Sequence, residues 1–196
     1  MGNCIKLAIT GGIGSGKSVV SRILGIMGVP VYDCDSMAKK IMVSDPSIVK
    51  GLKRMFGESC YNSDGTLDKD FLASRIFTDD NNIERVNALV HPAVKRDFER
   101  WAAAKDCPLV AVETALLYES GLIDSVDKVL VVWTDKETAI RRTMQRSGMS
   151  RNQVLSRMLK QVSADELLLL TDYSLYNGGD TPLLPGVMEL LDELKC

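Results

Sequence analysis

The chain has 196 residues, enough for one core with a modest insertion or for two small domains. Hydrophobic residues make up 45% and charged residues 26%, an ordinary globular balance, and no apolar run reaches membrane-spanning length. A formal charge of −2 supplies no overall field for nucleic acid or acidic lipid. Five cysteines without a C-x-x-C pair argue against a zinc site or a disulfide framework and fit reduced thiols in a cytoplasm.

The apolar run 5–10 reads as a first strand, and Gly11-Gly12-Ile13-Gly14-Ser15-Gly16-Lys17-Ser18 follows it directly. This segment fits G-x-x-x-x-G-K-[ST] without mismatch. Val19, Val20, Ile23, Leu24 and Met27 then recur with helical spacing. Strand, glycine loop and helix form the context that gives the motif its meaning. Backbone N–H groups of Gly12 to Gly16 can converge on phosphate oxygens, aided by the positive end of the new helix. Lys17 is placed to reach the β- and γ-phosphates, and the Ser18 hydroxyl to ligate Mg²⁺.

A second strand, 31–32, ends in Asp33-Cys34-Asp35. On an extended segment residues i and i+2 point to one side, so both carboxylates can face the phosphates, one as a proton acceptor and one near Mg²⁺. The competing reading makes one of them the cap of a helix starting at Ser36. About seventy residues, too many for a simple crossover, then precede the third strand. They predict helices over 36–43, 46–56, 68–77 and 82–104, with a turn at Asn62-Ser63-Asp64-Gly65. His91-Pro92 is expected to split or kink the last of these. His91, the only histidine, reads by itself as a structural residue at that break.

Strands at 109–112 and 129–133 are nearly all apolar, as in a parallel sheet covered on both faces, and a shorter strand is expected at 173–176. Glu113 follows the third strand, where a second acidic group near Mg²⁺ is often found. Glu119, after Leu116-Leu117-Tyr118, is a candidate for the substrate cleft. Capping boxes at Thr134/Glu137, Ser150/Gln153 and Ser163/Glu166 predict helices over 135–146, 151–161 and 164–170, and a last helix is expected over 185–194. Residues 136–160 hold seven Lys or Arg and one acid, a net +6. Arg142 and Arg146 share one helix face there. Beside a phosphate loop this points to an arginine lid, and the alternative is a solvated basic face.

From the residues alone the chain reads as an α/β kinase of a small hydroxyl substrate. A nucleotide-dependent switch is the rival from another class, but the sequence has no N-K-x-D, and no D-x-x-G after the third strand.

With these residues in place the chain resembles the dephospho-coenzyme A kinase family over nearly its whole length. The resemblance rests on Thr10 to Ser18, Asp33-Cys34-Asp35, Asp64-Gly65-Thr66-Leu67, His91-Pro92 and Leu116-Leu117-Tyr118-Glu119. Arg142-x-x-x-Arg146, Arg157-x-x-x-Gln161 and Asn177-Gly178-Gly179 complete it. The family often carries Pro where this chain has Ala115, and often Asp at the position of Glu113.

The resemblance implies a P-loop NTPase-type parallel sheet flanked by helices, with a helical substrate-binding insertion and an Arg-rich lid. The implied division is a nucleotide core (1–35, 106–134, 171–196), an insertion (36–105) and a lid (135–170). It implies transfer of the ATP γ-phosphate to the ribose 3′-hydroxyl of dephospho-CoA, with Mg²⁺. Asp35 would be the base with Asp33 beside it, Arg142 would stabilise the transferring phosphate, and Asn177 would lie near adenine. His91 would border the dephospho-CoA pocket. A cytoplasmic enzyme without nucleic-acid, membrane or obligate protein partners is expected. Nucleoside monophosphate and shikimate kinases are the nearest enzymatic alternatives.

Overall fold

Parallel β-structure organises the larger part of the chain. The computed structural model describes residues 4–76 and 79–194. In chain order the elements are β1 (Ile5–Thr10), α1 (Lys17–Ile26), β2 (Val31–Asp33), α2 (Cys34–Ser44), α3 (Pro46–Phe56), α4 (Lys69–Ile76) and α5 (Asp80–Ala103). They continue with β3 (Leu109–Glu113), β4 (Lys128–Trp133), α6 (Lys136–Ser147), α7 (Arg151–Met158), α8 (Ala164–Leu169), β5 (Tyr173–Tyr176) and α9 (Leu183–Glu193). Two compact units result, Met1–Asp33 with Ala102–Cys196, and Cys34–Trp101.

The first unit holds a five-stranded sheet in the order β2-β3-β1-β4-β5, parallel throughout. Its central strands are buried on both faces. Leu7, Ile9, Ala111, Leu130 and Val132 face a cluster that includes Val20 and Leu24 of α1 and Val187, Leu190 and Leu191 of α9. The alternating residues Ala8, Val110, Val112, Val129 and Val131 are buried as well. Two-sided burial is why these segments read as continuous apolar runs rather than as alternation.

The outer strand β5 is pinned at its start by Asp172. Its carboxylate takes the Lys128 ammonium at 2.8 Å and accepts the Val129 N–H at 2.8 Å. Burial pushes this carboxyl up, but Lys128 and the Val129 amide outweigh it, and the net value lies below the ordinary aspartate range.

The second unit is helical. Asp45 caps α3 by accepting the Ser47 N–H at 2.8 Å, and Pro46 fills the first helical position, where no N–H is needed. The expected turn forms, with the Asn62 N–H donating to Thr66 O at 2.8 Å and the Gly65 N–H to Asn62 O at 3.0 Å.

Three local expectations fail for physical reasons. Helix α5 runs unbroken through Pro92, so the split does not occur; the proline removes only one backbone hydrogen bond. Buried Val86, Val90, Ala93, Val94 and Phe98 carry one apolar stripe across it, so packing on both sides outweighs that loss. His91 is therefore inside a helix, not at a helix end. The box at Thr134/Glu137 does not form. Asp135 occupies the N-cap position without a side-chain cap bond, the Thr134 hydroxyl is buried without a partner, and Glu137 instead takes a bidentate pair from Arg151. The boxes at Ser150/Gln153 and Ser163/Glu166 are both complete. Finally, α2 begins at Cys34 rather than Ser36. Phe77, the expected end of α4, lies outside the described residues.

Ser150→Ala should cost about 1 kcal/mol and lower the midpoint of thermal unfolding by roughly 2–4 °C. Thr134→Val, which deletes an unsatisfied hydroxyl, should leave the midpoint unchanged or raise it. Calorimetry of both variants checks this, and a fall for Thr134→Val would show that the hydroxyl has a partner in solution.

Because the folded value of Asp172 is depressed, its stabilisation is present above the unfolded value of about 3.9 and is lost as pH falls through the folded one. The gap in melting temperature between wild type and Asp172→Asn should therefore be widest near neutrality and close toward pH 3. A pH series of melts measures it.

Candidate functional site

The loop Gly11–Gly16 leaves the carboxyl end of β1, the middle strand of the sheet, and enters α1. Ligands in open parallel sheets bind outside this end of the strands. Gly16 is the N-cap of α1, with φ of 95° and ψ of 23°, and no side chain caps the helix. A helix start of this kind favours an anion. Two glycines are required by both conformation and space. Gly14, at φ of 78°, approaches the Ala139 carbonyl of α6, and Gly16 approaches the Asn177 carboxamide; a Cβ at either position would overlap those atoms.

Neighbours hold the loop in this shape. The Asn177 carboxamide donates to Ser15 O at 2.8 Å, while its backbone N–H donates to Trp133 O at 2.7 Å. Arg142 of α6 donates to Asn177 O at 2.7 Å. The Tyr176 hydroxyl donates to Asp135, and the Trp133 and Tyr176 rings lie 4.6 Å apart, which steadies the end of β5 just before Asn177. On the other side, the Ile13 N–H donates to Oε1 of Gln161 at 2.9 Å. The Lys17 ammonium folds over the loop onto Gly11 O at 2.7 Å and Gly12 O at 3.2 Å. Ser18 is exposed in the first turn of α1, and the Ser15 hydroxyl is buried without a hydrogen-bond partner.

Carboxylates flank this end of the sheet. Asp33, the last residue of β2, is in register with Glu113 of β3, and Glu113 is also in register with Ile9 of β1. Asp35 lies in the first turn of α2. The expectation that strand alternation aims both aspartates to one side is therefore corrected. Helix geometry already governs Asp35, because Cys34 opens α2. For the same reason neither aspartate caps a helix starting at Ser36.

The structure thus joins Gly12 to Ser18 with Arg142 and Asn177, and aligns Asp33 with Glu113. Arg146 is exposed one turn beyond Arg142. His91 is half-buried in α5 of the helical unit. Leu116 donates its N–H to the Thr114 hydroxyl at 3.0 Å, and Glu119 is exposed two residues past the buried Leu117. Two contributors escape a reading by residue chemistry: Gln161, and the Tyr176–Asp135 contact. Gln161 has a sequence trace only as the last residue of Arg157-x-x-x-Gln161.

A family model described as dephospho-CoA kinase matches residues 5–182. A dephospho-CoA kinase of Bacteroides fragilis is 40% identical over 188 residues, 95% of this chain and 91% of the relative. The crystal structure of TT1252 from Thermus thermophilus is similar with a TM-score of 0.82 and 34% identity, covering 98% of this chain and 97% of that one. A dephospho-CoA kinase from Campylobacter jejuni shares the fold with a TM-score of 0.72 at 22% identity, covering 96% of both chains.

Gly16→Ala forces a left-handed non-glycine residue against Asn177 and should cost about 1–2 kcal/mol, lowering the melting midpoint by roughly 2–8 °C. Adding Asn177→Ala removes the overlap, so the double variant should be more stable than the sum of the two single losses implies. A double-mutant cycle by thermal melting tests this, and strict additivity would mean that the two residues do not meet.

Proposed function

This chain belongs to the dephospho-CoA kinase family, and on that footing we propose that it transfers the γ-phosphate of ATP to the ribose 3′-hydroxyl of dephospho-CoA. The observation that carries the reading is the loop at the end of β1, which leads into a helix start without a side-chain cap and sets Lys17 at the same sheet end as the carboxylates of β2 and β3.

The hydroxyl oxygen forms the new bond to the γ-phosphorus while the bond to the β,γ-bridging oxygen breaks, releasing ADP. Asp35 accepts the hydroxyl proton, and Asp33 stands two residues away at the strand end. The amides of Gly12 to Ser18 and the open start of α1 bind the phosphates, with Lys17 on the β/γ edge. Arg142, already linked to the loop through Asn177, turns to the transferring phosphate, and Arg146 adds charge from the same helix face. Asn177 supports the loop and lies toward adenine. His91 of the helical unit, with Leu116, Glu119 and Asp33, is assigned to dephospho-CoA. Residues 135–170 act as the lid over the nucleotide core, and residues 36–105 as the substrate-binding insertion.

Mg²⁺ fits the donor set. Ser18, Asp33 and Glu113 offer hard oxygen ligands at the carboxyl end of the sheet. Such an ion would share its coordination with the nucleotide phosphates. When bound, it supplies charge neutralisation at the β- and γ-phosphates. Among the described residues no helix is long and apolar enough to cross a membrane. We place the enzyme in the cytoplasm, acting on small molecules without nucleic acid, membrane or an obligate protein partner.

The test supplies Mg-ATP with dephospho-CoA, AMP, GMP or shikimate and measures ADP and phosphorylated product. Turnover should be confined to dephospho-CoA, and preference for any other acceptor would overturn the assignment. Asp35→Asn should lower kcat by about 10²–10⁴ with little change in ATP affinity, and near-normal kcat would move the base elsewhere. Lys17→Ala should impair both nucleotide binding and turnover.

A further inference from the structure

Gln161 has no part in the mechanism above, yet its side chain binds the Ile13 amide. It follows α7 in the arginine-rich segment. Its carboxamide oxygen accepts the Ile13 N–H at 2.9 Å and lies 4.0 Å from where a Cβ on Gly12 would sit. Lys17 shows which end of a phosphate chain this is. A phosphate-loop lysine reaches the β- and γ-phosphates. Here its ammonium rests on the carbonyls of Gly11 and Gly12, the residues leading into Ile13. The Ile13 amide therefore belongs to the terminal-phosphate edge, whereas the amides of Gly16 to Ser18 open α1 and serve the inner phosphates.

We propose that Gln161 is a phosphate surrogate and a positioning residue. Its carboxamide oxygen takes the place on the Ile13 N–H that a γ-phosphate oxygen claims when a nucleoside triphosphate binds. A diphosphate ends short of Ile13 and leaves the Gln161 bond in place. A triphosphate displaces it and frees the segment after α7, so the loop reports the third phosphate to the lid. The inference rests on the kinase reading above and extends it to how the site tells ATP from ADP.

The test is calorimetric titration of wild type, Gln161→Ala and Gln161→Glu with Mg-ADP and with a non-hydrolysable Mg-ATP analogue. Removing the competitor in Gln161→Ala should tighten the triphosphate about three- to tenfold and change ADP by less than about twofold. The carboxylate of Gln161→Glu should repel the third phosphate and weaken the triphosphate at least about tenfold more than ADP. A parallel change for both nucleotides would make Gln161 a plain brace and overturn the proposal, as would no change for either. If Gln161→Ala does not fold, the near-isosteric Gln161→Glu decides by its triphosphate-to-diphosphate ratio. Wild type that binds both nucleotides but does not phosphorylate dephospho-CoA would overturn the kinase reading and leave the ratio as the test of Gln161.

Discussion

A run of backbone N–H groups binds phosphate only if the backbone is held still without side chains of its own. That constraint governs the rest of this structure. Glycine supplies the shape at Gly14 and Gly16, but glycine also carries the most freedom to lose, so the rigidity has to come from elsewhere. It comes from β1, which is locked between β3 and β4, and from the side chains that grip the loop from outside. Asn177 is the main one. It binds Ser15 O with its carboxamide, β4 with its N–H and Arg142 with its carbonyl. The end of β5, helix α6 and the loop after β1 are thereby one hydrogen-bonded unit.

This arrangement explains how a chain of net charge −2 can handle a polyphosphate. The positive potential is local. On the proposed reading it is built from helix N–H groups, Lys17 and the arginines of α6, while the carboxylates of β2 and β3 sit at neighbouring strand ends. The basic run is not uniformly available. Arg151 is committed to Glu137 by a bidentate ion pair, whereas Arg142 gives one bond, to Asn177 O. Sequence charge counts positive groups without showing which are already spent on structure.

The strands were readable because two-sided burial leaves apolar runs such as Val129–Val132, and the loop because its glycines, lysine and serine are dictated locally. What misled was tertiary competition. Thr134 and Ser150 both open a capping-box pattern, yet only Ser150 uses it, because Arg151 draws the glutamate partner of Thr134 away. Pro92 signals a break that the stripe from Val86 to Phe98 overrides. Asp35 was read by strand alternation, and the chain had already turned into α2.

By itself the amino-acid order determined the elements, the parallel sheet, the phosphate loop and the family, since each depends on neighbours in sequence or on a motif of fixed spacing. Only the tertiary structure decided the strand order, the grip of Asn177 and Gln161 on the loop, and the partners of Arg142 and Glu137. Those contacts join residues more than a hundred positions apart, such as Ser15 with Asn177 and Ile13 with Gln161, or depend on which of several acceptors a folded neighbour leaves open. No local period or spacing encodes either.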